Sequence, residues 1–141
     1  MSIDRAKEQL ELSEGRWREA VSGHAQPPPD AQFPRRLRAL ADAAAQERAA
    51  YAYAAEEGFG WQPGPPWLPP QELRPAPWRS SLAPVDAWER FDKAVEELSR
   101  ARTGPSVESI ARAFGQLAAA AEELADAIDA AAKAHATTRA G

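Results

Sequence analysis

From Ser106 to Ala136 the apolar and polar positions separate on a seven-residue frame. With Val107 in the first place, the a sites are Val107, Phe114, Ala121, Ile128 and His135, and the d sites are Ile110, Leu117, Leu124 and Ala131. Alanine fills every e and g site from Ala111 to Ala134. Glu108, Arg112, Gln116, Glu122, Glu123, Asp126, Asp129 and Lys133 take the remaining positions. This sorting predicts an amphipathic helix of about 30 residues, hence ~45 Å long. Its alanine shoulders let neighbouring helices approach closely on both sides. Gly115, beside Phe114, costs this helix ~1 kcal/mol relative to alanine.

Three further helices follow from the same pattern. Ile3, Ala6, Leu10, Ser13, Trp17 and Ala20 recur by three and four, giving a first helix from about Ser2 to Val21. A second runs from Asp30 or Phe33 to Glu57, with Pro34 tolerated in its first turn and Gly58 placed to close it. Its inner face is Phe33, Leu37, Leu40, Ala41, Ala44, Tyr51, Ala54 and Ala55; Glu47 and Arg48 break the stripe and predict a shallower, more exposed contact there. A third, from near Pro84 to near Arg102, is read from Trp88, Phe91, Val95 and Leu98. The turn Thr103-Gly104-Pro105-Ser106 is short, and Ser106 is placed to cap the last helix.

Between the second and third helices the texture changes. Eight of the thirteen prolines fall between Phe59 and Pro84, which blocks helix and sheet and leaves polyproline II or irregular chain. The same stretch carries Phe59, Trp61, Trp67, Leu68, Leu73, Trp78 and Leu82, too apolar to stay solvated. The expectation is therefore all-α: an up-down four-helix bundle of two antiparallel helical hairpins, with a long, ordered Pro/Trp-rich crossover between helices two and three. One domain spans residues 1–141, with hairpins at 1–57 and 85–137 and the crossover at 58–84.

Composition narrows the chemistry. Alanine dominates, arginine far outnumbers lysine and asparagine is absent, an association with GC-rich bacterial or phage genomes. With no cysteine there is no disulfide, thiolate metal site or cysteine nucleophile. The net charge of −4 is spread along the chain, and no segment has the positive field that nucleic-acid binding needs. The N-terminal stretch has no apolar leader and no run approaches a membrane span, so a cytoplasmic location is expected. His24 and His135 sit in different segments and no Glu-x-x-His pair exists; no metal or other cofactor is expected. Glu122, Asp126 and Asp129 share a face with Lys133 one turn on, which reads as a solvated surface.

Arg18 and His24 are separated by five residues, a spacing that resembles the arginine–histidine pair of the RNase-like HEPN bundles. That resemblance implies a small all-helical nuclease or an inactive relative. It covers two residues and departs from the family at Glu19, where a small polar residue is usual. Tyr53-x-x-x-Glu57 is similar to the export signal of WxG-type secreted bundles, but no Trp-x-Gly stands at either hairpin turn. The residues themselves favour a non-enzymatic interaction or regulatory module whose partner is another protein or a second copy of the chain. Its surface would come from Trp61, Trp67, Leu68, Arg74, Trp78 and Arg79, rigid aromatic and cationic anchors that need little ordering on binding. A bundle holding a small apolar ligand near Trp88 and Phe91 is the remaining alternative.

Overall fold

A computed structural model describes residues 2–22, 31–59, 69, 73–104 and 106–140, with side chains placed between Asp4 and His135. Among the described residues five helices pack together: α1 (Ser2–Ser22), α2 (Phe33–Glu56), α3 (Arg79–Leu82), α4 (Val85–Arg102) and α5 (Val107–Ala140). There is no strand among the described residues, and none of their helices is long and apolar enough to cross a membrane.

Local signals set the helix ends. Pro34 sits in the first turn of α2. At its other end Gly58 takes φ 70°, a left-handed backbone that a side chain would strain. There Phe59 N–H donates to Ala54 O at 2.8 Å and Gly58 N–H to Ala55 O at 3.1 Å, the paired bonds of a Schellman cap. Ser109 N–H donates to Ser106 Oγ at 3.2 Å, so Ser106 caps α5 as its type and place predict. In the proline-rich stretch, the proline-free run Arg79–Leu82 forms one helical turn, α3, which the proline count had excluded.

α2 and α5 lie closest to each other, α1 beside α2 and α4 beside α5. Arg38 meets Asp126 and Asp129 at one end of the central pair, and Tyr51 stacks on Phe114 towards the other, so α2 and α5 are antiparallel. Phe33 stacks on Trp88 where α2 and α4 begin, while Tyr51 and Arg102 meet on Glu14 near where both end. α2 and α4 are therefore parallel, and the alternation of direction inside each hairpin is not continued between them.

The core is assembled from the predicted stripes. Leu10, Leu37, Leu40, Phe91, Leu98, Ile110, Phe114, Leu117 and Leu124 are fully buried. The heptad frame of α5 holds through Ile128; beyond it Ala132 to His135 are exposed.

Gly115 lies against the exposed side chain of Arg48, whose Cδ would stand 2.7 Å from an added Cβ. No foreign backbone is close, and an arginine stem can swing aside. Gly115→Ala is therefore expected to raise stability by up to ~1 kcal/mol, the helical propensity difference. Thermal unfolding checks this, and a lower melting temperature would mean that Arg48 cannot move.

Candidate functional site

At one end of the helices Trp88 organises the chain that enters α4. Phe33 stacks on its ring at 6.3 Å, and Trp78 meets it edge-on at 6.0 Å. Arg79 lays its guanidinium 4.3 Å from the ring centroid, and Trp88 Nε1 donates to Arg79 O at 2.9 Å. Arg79 is 7% exposed. Its Nη1 pairs with Asp92 Oδ2 at 2.6 Å and its Nη2 donates to Leu73 O. Arg79 thus clamps residues 73–83 to α4 and belongs to the interior, not to the surface on which the sequence reading placed it. Its two terminal nitrogens find a carboxylate and a carbonyl and its face covers an indole, which offsets the burial, while Nε has no partner among the described residues.

The other expected contact residues are distributed unevenly. Trp61, Trp67 and Leu68 lie outside the described residues. Trp78 is half-buried; Arg74 is exposed and donates from Nε to Pro69 O at 2.8 Å. Of the pair resembling the HEPN motif, Arg18 is exposed and reaches Glu14 at 4.0 Å, and His24 lies outside the described residues. Beside Trp88 and Phe91, where an apolar ligand was expected, Trp88 contacts Phe33, Trp78, Arg79 and Phe91 itself. Glu122, Asp126 and Asp129 gather around Arg38 at 3.6, 2.8 and 2.6 Å, an open network of the kind worth little to stability.

The second cluster was not anticipated. Where α1, α2 and α4 converge, Glu14 Oε1 accepts from Tyr51 Oη at 3.0 Å and from Arg102 Nη1 at 3.1 Å. Glu47 stands beside this group and is 0% exposed, a correction of the shallow contact expected there. Without an added proton, neither of its oxygens has a hydrogen-bond partner among the described residues. Glu14 and Arg102 are nearly as buried. Two carboxyls therefore share one buried guanidinium.

Electrostatics separates their protonation. Burial pushes Glu14 up, but hydrogen bonding with Glu47 and the charge and hydrogen bond of Arg102 outweigh it, so its carboxyl is held below the usual range. Burial pushes Glu47 up to about 9, helped by a hydrogen bond to Glu14 and by Glu14's negative charge. Tyr51 is pushed up too, by burial first and then by both carboxylates, and remains a neutral donor. At neutral pH the cluster thus holds Glu14 ionised, Glu47 protonated and Arg102 as its buried cation, with exposed Arg18 at its edge. The added proton makes Glu47 a donor facing Glu14, which relieves its lack of partners.

Each member sits in helical register with the core: Glu14 four residues after Leu10, Glu47 three after Ala44, Arg102 four after Leu98. That register was the available signal. What the fold defines is an all-helical protein with an aromatic–guanidinium clamp at one end and a buried carboxyl pair towards the other. Compared with protein-family models, curated proteins and solved structures, the chain matches none of them.

Proposed function

We propose that the protein is a non-enzymatic interaction or regulatory module of the bacterial or phage cytoplasm. Its long helices form a four-helix bundle, and its partner, another protein or a second copy of the chain, binds the Pro/Trp-rich crossover. The observation that supports this is the Arg79 clamp. Held by Asp92, Leu73 O and Trp88, it fixes residues 73–83, while Arg74, Pro75 and Pro77 stay exposed and Trp78 half-exposed. A surface ordered before binding loses little entropy on binding, and tryptophan and arginine are the residues that dominate such contacts.

Site-specific photo-crosslinking from position 77, with a probe at Lys93 as control, tests the surface. The expected result is one dominant adduct from position 77 and none from Lys93. Arg74→Glu should weaken the same association by about tenfold or more, the scale of an interface anchor. An association that is unchanged by Arg74→Glu, and captured equally from both positions, would move the partner surface elsewhere.

A further inference from the structure

α1 is joined to the rest of the molecule unequally. It approaches the backbone of α2 closely, but among the described residues it reaches α4 through Glu14 on Arg102 and α5 through Trp17 on Phe114, rings 5.1 Å apart. The carboxyl cluster lies in this joint. Glu47 faces Ser13 and Glu14 from α1, with Arg18 4.0 Å from Glu14's outer oxygen. From α2 it faces Tyr51, from α4 it faces Arg102, and Phe114 of α5 brings no charge. One guanidinium can balance one carboxylate. A second negative charge buried here would have to share Arg102 with Glu14 and draw on the Ser13 hydroxyl, which already donates to Leu10 O.

We infer that Glu47 holds a proton that keeps α1 docked, and that α1 swings away from α2, α4 and α5 as that proton is lost. Opening takes Glu14 away and gives Glu47 water, so it ionises as an ordinary carboxylic acid near pH 4.5, and one proton leaves per opening. The sign follows. Glu47 is raised in the docked state, so its contribution is fully present below pH 4.5 and is lost as pH rises towards about 9. Glu14 is depressed in the docked state, so its contribution is present above pH 4.5 and is lost as pH falls. Docking is tightest near the ordinary carboxyl pKa and weakens on both sides. Opening uncovers the inner faces of Tyr51 and Phe114.

Hydrogen–deuterium exchange on the full chain tests this, with rates divided by the intrinsic exchange rate at each pH. One released proton requires the opening constant of α1 to rise about tenfold per pH unit between pH 5.5 and 8.5, then flatten near pH 9. Amides of α5 between Ile110 and Leu124 should keep a lower slope. Glu47→Gln, which carries the donor without the ionisation, should flatten the α1 profile. Carbon-13 titration of the side-chain carboxyls provides an independent reading in the unaltered protein, where Glu47 should remain protonated through pH 7. A flat α1 profile in the wild type, equal slopes for α1 and α5, or a Glu47 carboxyl titrating near pH 4.5 would each overturn the proposal.

Discussion

Arg102→Ala is expected to lower the unfolding free energy by about 3–5 kcal/mol at neutral pH, the scale on which removing one partner strands a buried charge. Glu14 then keeps the Tyr51 hydroxyl and a distant, exposed Arg18, and the pair of carboxyls has lost its cation. The loss should shrink below about pH 4.5. In the variant Glu14, without Arg102, takes up a proton there, while in the wild type the stability that its lowered pKa contributes falls away as the pH drops below that range. Adding Glu14→Gln to Arg102→Met should recover much of the deficit, because a neutral, well-filled site costs less than a half-paired one. Denaturant unfolding at pH 7 and pH 4 measures both. A loss below about 1 kcal/mol for Arg102→Ala would mean that water reaches the cluster.

Leu117→Ala and Leu124→Ala should each cost about 2–5 kcal/mol, the sum of lost transfer energy and the cavity left behind. Both leucines are fully enclosed, on the helix that packs against α2 and α4. They stand seven residues apart, ~10 Å along the helix, so the double variant should be additive within about 0.5 kcal/mol. The same change at Leu12, which is 59% exposed on α1, should be nearly silent. Chemical denaturation separates the cases, and a cost under about 1 kcal/mol at either leucine would show that the seven-residue frame does not face the core.

The sequence by itself determined the helices and most of their inner faces. The reason is that periodicity and caps act locally. Leu10, Leu37, Phe91, Phe114 and Leu124 repeat at helical spacing whatever surrounds them, and Gly58 and Ser106 act within one turn. An all-α protein was readable on that basis.

Which charged residues are internal depends on how the helices pack. Glu14, Glu47, Arg79 and Arg102 look like solvated residues one at a time, since a charge is normally buried only against a partner. Those partners are distant in sequence: Glu14 meets Arg102 across 88 residues and Tyr51 across 37, and Arg79 meets Asp92 across 13. The directions of the helices were equally out of reach. Two hairpins joined by a long connection can be set parallel or antiparallel without changing any local pattern. The stacking of Phe33 on Trp88 is what places α4 parallel to α2 and brings Arg102 to the two carboxyls. The cost of burying a charge depends on its neighbours in space, and those neighbours exist only once the helices have packed.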